Sequence, residues 1–117
     1  MKIKTCELTG AALDLAVAIA VGRTDVRVDE DGELVGQHEF DYYTDWAQGG
    51  PIIEREKIDV DFCHFTGPWF ACIGGKTHDV PERARAYGPT MLIAAMRCFV
   101  ASKLGDEVEV PEELCAN

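Results

Sequence analysis

Long apolar runs are missing from this sequence of 117 residues. The longest apolar run extends from Ala11 to Val21 and is interrupted by Asp14. It is well short of the roughly 20 residues that a membrane-spanning helix requires. The amino-terminal stretch MKIKTCEL is not followed by the apolar block and cleavage site of a secretory signal. We therefore expect a cytoplasmic protein with no membrane association.

Paired cysteine motifs are also missing. The five cysteines include no Cys-x-x-Cys pair, and an odd number cannot close into a complete set of disulfides. Reduced thiols are therefore the simpler interpretation. A hairpin over residues 58–73 would bring Cys63 and Cys72 nearly opposite each other, and His64 and His78 are the other ligands that such a metal site would use. Neighbouring strand residues point to opposite faces, however, and the spacing matches no common zinc module, so we predict no metal and no cofactor.

Basic residues are scarce, with 11 Lys and Arg against 21 Asp and Glu, which gives a net charge of -10. Direct binding to nucleic acid is disfavoured, because neutralising phosphates requires clustered Lys and Arg. The acids are concentrated in residues 25–45, which hold eight, and in residues 106–113, which hold five. This pattern is typical of an ordinary solvated surface, of a surface for a basic partner, or of a mimic of the DNA backbone.

What the sequence does contain is an apolar segment at residues 88–105, GPTMLIAAMRCFVASKLG. Apolar side chains recur there at intervals of three and four residues, which predicts a helix. Pro89 is predicted at the first helical position and Gly105 as the carboxyl-terminal cap. Since few side chains in it are polar, we expect a core helix that is covered on more than one side.

A second helix is predicted from Thr5 or Cys6 to Val21, with Gly22 as its cap. Asp14 is the one charged residue inside it, and we expect it at the solvent edge of the helix. If it were buried it would need a partner such as Arg97, because an unpaired buried charge is very unfavourable.

The remaining periodic segments predict short strands. They are an edge strand at residues 1–5, a hairpin over 26–40 that turns at Asp31-Gly32, a hairpin formed by 57–65 and 69–73, and a last edge strand at Val108 and Val110. Residues 76–87 are predicted to be a loop with a helical turn at 81–85. The expected fold is α+β: one domain, residues 1–117, with a small antiparallel sheet of about four strands packed against two main helices.

The best candidate site is the stretch from Asp45 to Pro51, DWAQGGP. It is predicted to be a loop that combines a carboxylate, a large aromatic, an amide and two glycines ahead of a helix beginning at Pro51. The free N–H groups of that helix could bind an anion, although the stretch lacks the lysine and the spacing of a P-loop. Alternatively, Trp46 fills the edge of the core while Asp45 and Gln48 hold the turn together.

Three blocks carry a family resemblance: KTCELTGAALDLAVA (4–18), TDWAQGGPIIEREKI (44–58) and GPTMLIAAMRCFVASKLGDEVEVPEEL (88–114). In order and position they resemble the NinX proteins of lambda-like phages and prophages. Cys6 and Met91 stand where that family tends to have Ser and Pro, and both departures leave the helices possible. The resemblance implies a small accessory protein encoded among phage genes near recombination functions, and it transfers no catalytic residue.

Three functional hypotheses follow. The first is a non-catalytic module that binds a phage or host protein, because anchors of interfaces are often Trp, Tyr and Arg. The second is a small enzyme handling a nucleotide or phosphoester with Asp45, Gln48 and Glu54. The third is an acidic DNA mimic. The candidate binding residues are Asp45, Trp46, Gln48, Gly49, Gly50, Glu54, Tyr42, Tyr43 and Arg97. Neither the partner nor the oligomeric state can be read from the sequence.

Overall fold

A computed structural model describes residues 1–36, 40–63, 68–74 and 84–114. The described part is mixed α+β, as the sequence predicts. Its elements, in chain order, are β1 (Lys2–Lys4), α1 (Gly10–Ala20), β2 (Arg27–Val28), β3 (Leu34–Val35), α2 (Trp46–Glu56), β4 (Asp59–Phe62), β5 (Trp69–Ile73), β6 (Ala84–Gly88), α3 (Met91–Leu104) and β7 (Glu107–Glu109), with single 3-10 turns at Thr5–Glu7 and Glu112–Leu114. No helix in these ranges is both long and apolar enough to span a membrane.

Among the described residues the strands form three small antiparallel sheets, with orders β1-β7, β2-β3 and β4-β5-β6. The expected sheet of about four strands is therefore wrong. The hairpin over 26–40 does form, but each of its strands is two residues long, and within the described part of the chain they pair only with each other. Residues 37–39 of the predicted hairpin lie outside the described residues. The hairpin of β4 and β5 also forms as predicted, and β5 covers Trp69–Ile73.

The third strand of the largest sheet, β6, comes from a segment that was predicted to be a loop. Its side chains alternate between exposed Arg85 and Tyr87 and buried Ala86, which is the period of two of a strand. This alternation gives only a weak signal in the sequence, because the buried residues have small side chains. The predicted helical turn at 81–85 is wrong for Ala84 and Arg85, and the rest of it lies outside the described residues.

Helix α3 is the centre of the core, as predicted. Phe99, Met96 and Val100 are fully buried in it, and it packs against β5 and β6 as well as against α1 and α2. The helix begins at Met91, two residues later than expected: Thr90 is the N-cap, and its Oγ1 accepts a hydrogen bond of 3.1 Å from the Ile93 N–H. Pro89 therefore precedes the cap, because Thr90 can satisfy an N–H of the first turn that proline cannot.

Helix α1 begins at Gly10, so the predicted start at Thr5 or Cys6 is wrong. The Thr5 side chain is used elsewhere, since its Oγ1 donates a 2.6 Å hydrogen bond to the Gly105 carbonyl just after α3. Residues 5–7 form one 3-10 turn, and Thr9 is extended before the helix starts. Gly22 follows the end of α1 with a φ of 92°, which agrees with the predicted glycine cap.

Candidate functional site

The stretch from Asp45 to Pro51 is not a loop but the first half of α2, so the predicted helix start at Pro51 is wrong. Asp45 is the N-cap of α2, and its Oδ1 accepts a 2.9 Å hydrogen bond from the Ala47 N–H. The Gln48 Oε1 accepts another, also of 2.9 Å, from the Asp41 N–H. Asp45 thereby satisfies a backbone donor in the first turn of α2, and Gln48 ties that turn to the segment before the helix.

Gly49 serves close packing within the helix and not a bend. Gly49 is buried, and a Cβ atom there would lie 2.5 Å from the Tyr42 carbonyl oxygen and 2.6 Å from Leu92 Cδ2. Only a residue without a side chain lets α2 come this close to α3 and to the preceding segment. At Gly50 a Cβ would meet Trp46 at 3.7 Å, which is an ordinary contact. Glu54 lies exposed on a later turn of α2.

Trp46 and Tyr43 line a groove that we call the aromatic groove. It has a volume of about 470 Å³ and is bounded by residues 43, 44 and 46, by Trp69 of β5, and by residues 89–93 at the start of α3. Phe62 packs edge-on against Trp69, with ring centroids 5.2 Å apart, and extends the apolar surface. Trp46 is 52% exposed, so it lies on the wall of this groove and does not fill the core.

Tyr42 is placed differently from its neighbour Tyr43. It is 8% exposed, and its hydroxyl accepts a 3.5 Å hydrogen bond from Arg23 Nη1. The Arg23 guanidinium also pairs with Asp25 and lies 4.3 Å from the centre of the Phe40 ring. Tyr42 therefore belongs to a packed cluster that holds this part of the chain in place, and only Tyr43 reaches the aromatic groove.

Arg97 lies in another part of the molecule. Its Nε donates a 2.7 Å hydrogen bond to the Leu8 carbonyl, and its Nη1 donates one of 2.9 Å to the Tyr87 carbonyl. It lines a separate groove together with Lys4 and Arg85, and burial lowers its pKa. Arg97 thus links the segment before α1 to the end of β6. It is not the partner of Asp14 that the sequence suggested for a buried carboxylate.

Asp14 is buried at 4% exposure, so its predicted place at the solvent edge is wrong. The Tyr43 N–H donates a hydrogen bond of 3.4 Å to Asp14 Oδ1. Burial raises the pKa of Asp14 to about 7 against the opposing effect of backbone hydrogen bonds from Tyr43 and Tyr42, and the charge of Asp41 raises it further. The carboxyl group therefore joins α1 to the segment that enters α2 and carries Tyr43.

A sequence signal for this burial did exist. On a helix, Asp14 has Val17 and Ala18 as neighbours three and four residues away, and both are fully buried. A charged residue whose helical neighbours are apolar lies on the buried face. The backbone partner could not have been found in this way, since Tyr43 is distant in sequence.

The two cysteines of the candidate metal site are not placed as the sequence suggested. Cys72 lies opposite Asp59 in the ladder, whereas the Cys63 N–H donates to the Pro68 carbonyl at 3.0 Å. The two thiols are therefore not opposite each other, and the expectation that they would be is wrong. Within residues 1–36, 40–63, 68–74 and 84–114, no three His, Cys, Asp or Glu side chains are grouped as metal ligands. His64 and His78 lie outside the described residues.

Part of the acidic surface organises the hairpin of β2 and β3. The Asp29 Oδ1 accepts hydrogen bonds of 2.9 Å from the N–H groups of Asp31 and Glu33. Gly32 has a φ of 81°, which confirms the predicted turn at Asp31-Gly32. Asp25 forms an ion pair with Arg23. These carboxylates therefore stabilise the local structure, and the side chains of Glu30 and Asp31 remain exposed at the tip.

A comparison with curated proteins found no match. A comparison with protein families did: the family model described as "Bacteriophage P22, NinX" matches residues 4–103. The matched range includes α1, α2 and all but the last residue of α3, and therefore the aromatic groove as well. It extends over most of the chain and agrees with the resemblance found in the three sequence blocks. The chain therefore belongs to the NinX family of phage proteins.

Proposed function

We propose that this phage protein is a non-catalytic protein-binding module whose binding surface is the aromatic groove. The observation that carries the proposal is the position of Trp46, which is 52% exposed on the wall of an apolar groove. Each Å² of apolar surface left in water forgoes about 25 cal/mol of stabilisation. A partner that covers Trp46 would recover this free energy.

The composition of the groove supports the same function. Tyr43, Trp46 and Trp69 line it together with Pro89 and Met91 at the start of α3. Tyr and Trp are common interface anchors because they offer a large contact area for the loss of few rotamers. The walls are also held in place, since Trp69 is in a paired strand and packs against Phe62. A groove with rigid walls loses little entropy when a partner binds.

The chemistry of the partner follows from charge. Asp45 is exposed next to Trp46, Asp41 is half-buried close by in the chain, and the net charge of the protein is -10. An acidic surface attracts cationic segments and repels acidic ones. We therefore expect a protein segment with an apolar or aromatic anchor residue flanked by Lys or Arg. The anchor would fill the groove, and the basic residues would lie near Asp45.

The same contacts count against the enzyme hypothesis. Asp45 and Gln48 are engaged by the backbone N–H groups of Ala47 and Asp41, so they serve to build α2. The carboxylate of Asp45 also puts a negative charge where an anionic substrate would approach the start of the helix. Glu54 lies on a later turn of α2. A protein partner requires none of these side chains to act as an acid or a base.

A selection from a random peptide library tests the proposal, because it requires no purified partner. The wild-type protein is immobilised, and the bound peptides are sequenced. The strongest peptides are then titrated against wild type, Trp46→Ala and Tyr87→Ala. Tyr87 is a matched control because it is an aromatic residue of similar exposure, 48%, that does not line the aromatic groove.

The expected result is a set of peptides that share an apolar anchor flanked by basic residues. Their affinity should fall about thirtyfold or more in Trp46→Ala, since loss of a hot-spot residue costs about 2 kcal/mol or more. Tyr87→Ala should bind like the wild type. The proposal is wrong if no peptide family is enriched, or if the enriched peptides bind Trp46→Ala as tightly as the wild type.

A further inference from the structure

The outer edge of β7 is a row of outward-facing backbone groups. Val110 and Met1 exchange two backbone hydrogen bonds of 2.9 Å, and the ladder then pairs Val108 with Ile3. In an antiparallel pair, bonded and non-bonded residue pairs alternate. The N–H and C=O groups of Glu107 and Glu109 therefore point away from β1. Within the described residues the sheet contains only β1 and β7, so these groups are at its edge.

An apolar groove runs along this edge. It has a volume of about 250 Å³, and the four consecutive residues from Glu107 to Val110 all line it. The side chains of successive strand residues point to opposite faces of the sheet, so a groove on one face would contact only every second residue. Because all four residues line this groove, it must follow the edge of the strand. Ile19 and Leu104, which are 45% and 36% exposed, form part of the opposite wall. We call this the edge groove.

We propose that the edge groove binds an extended segment of another protein, which adds to β7 as a third strand and carries basic residues on both sides of an apolar one. Such strand addition uses main-chain hydrogen bonds for affinity and alternate side chains for specificity. A residue opposite Glu107 or Glu109 would share its face, so Lys or Arg is favoured there. A residue opposite Val108 would point to the buried face, towards the apolar wall.

The inner edge of β7 already shows this preference. Its partner β1 reads Lys2-Ile3-Lys4, with Lys2 opposite Glu109 and Lys4 opposite Glu107. An incoming strand of the same pattern would repeat that pairing on the other side. Two copies of the protein joined through β7 would instead place Glu residues near one another, which is unfavourable. Addition of β1 from a second copy would join two different surfaces and so build a ring or an open chain of molecules, which self-association of the wild type would reveal.

The test uses the capped peptide TKVKVKT with three matched control peptides. In the first, Glu replaces each Lys. In the second, the backbone nitrogens of the Lys residues are methylated, and in the third those of the Val residues are. Methylation at Lys removes the N–H groups that would donate to Glu107 and Glu109, whereas methylation at Val leaves them. Binding to the wild-type protein is followed by fluorescence anisotropy.

Two protein variants complete the experiment. Glu109→Pro removes an outward N–H without removing a backbone hydrogen bond to β1, and proline is tolerated at such an edge position. It also removes the exposed ion pair of Glu109 with the Met1 amino group, which the Gln variant removes as well. Glu107→Gln/Glu109→Gln keeps the backbone and removes the two charges. The melting temperature of each variant establishes that it is folded, and Trp46→Ala separates this site from the aromatic groove.

We expect TKVKVKT to bind the wild type and Trp46→Ala equally. Binding should weaken about tenfold or more for Glu109→Pro, for the Lys-methylated peptide and for the Glu peptide, and to a smaller extent for the Gln variant. Equal binding of the Lys- and Val-methylated peptides would overturn the proposal. So would self-association of the wild type that Glu109→Pro abolishes, since the edge would then belong to a second copy.

Discussion

Replacing Asp14 by Asn should make the protein more stable at neutral and alkaline pH. The carboxyl group is buried at 4% exposure, and its Oδ1 accepts a hydrogen bond from the Tyr43 N–H. Burial raises its pKa from 3.8 to about 7. An Asn side chain has nearly the same shape and keeps an oxygen for the Tyr43 N–H, but it never becomes charged.

The sign and size of the effect follow from the two pKa values. The folded protein holds the Asp14 proton up to about pH 7, whereas the unfolded chain releases it near 3.8, so folding is favoured at low pH. This stability is fully present below 3.8 and is lost as the pH rises through 7. At about 1.4 kcal/mol for each pKa unit, the total loss is about 4 kcal/mol. More than half of it, about 2 to 3 kcal/mol, falls between about pH 5 and pH 8.

Urea unfolding at several pH values between these limits measures the effect, and the useful quantity is the difference in unfolding free energy between the wild type and Asp14→Asn. Subtracting the unfolding free energy of one protein from that of the other at each pH removes the contribution of all other titrating groups. Asp106→Asn is a matched control, because it removes the same formal charge from an exposed position. The reasoning is refuted if the difference between the wild type and Asp14→Asn stays constant with pH, or if Asp106→Asn shows the same trend.

Three further predictions concern the scaffold, and each is checked by chemical unfolding. Gly49→Ala should lower the unfolding free energy by about 1 to 3 kcal/mol, because its Cβ would press on the Tyr42 carbonyl; unchanged stability would contradict the role of this glycine in packing. Phe99→Ala should cost about 3 to 5 kcal/mol, since Phe99 is fully buried in α3, and a smaller loss would mean that the core refills. Thr90→Ala should lower the unfolding free energy by about 1 kcal/mol through loss of the cap on the Ile93 N–H, whereas Thr90→Ser should keep most of the stabilisation that this cap provides.

The parts of the fold that the sequence predicts well are those where apolar periodicity is strong. Helix α3 and strand β5 were found almost residue for residue, because a face of large apolar side chains leaves few alternative structures. Strands β1 and β7 were predicted from the same kind of pattern, since Ile3 and Val108 lie between charged residues, but their pairing with each other was not predicted. Strand β6 was missed because its buried positions are Ala86 and Gly88, whose small side chains give almost no signal.

The first half of helix α2 was missed for a different reason, since the sequence predicted the helix only from Pro51 onwards. Gly49, Gly50 and Pro51 break helices in isolation, and local propensity therefore predicts a loop. In the folded chain, the contact of Gly49 with the Tyr42 carbonyl and Leu92 makes a small residue necessary, and tertiary packing overrides propensity. The composition of the candidate site was nevertheless informative: the same stretch supplies Trp46 to the aromatic groove. Its other wall, Trp69 and the start of α3, depends on the fold and could not be found from local sequence.

The two proposed binding surfaces lie at opposite ends of α3, and this arrangement makes them separable. The aromatic groove includes Met91 and the edge groove includes Leu104. A helix of this length spans about 20 Å, so substitutions in the two grooves should act independently, as those more than about 10 Å apart usually do. A partner that occupies both grooves would lose binding free energy additively in the combined Trp46→Ala/Glu109→Pro variant. Two separate partners would each respond to one substitution only, so a single titration series with each ligand decides between one extended contact and two distinct ones.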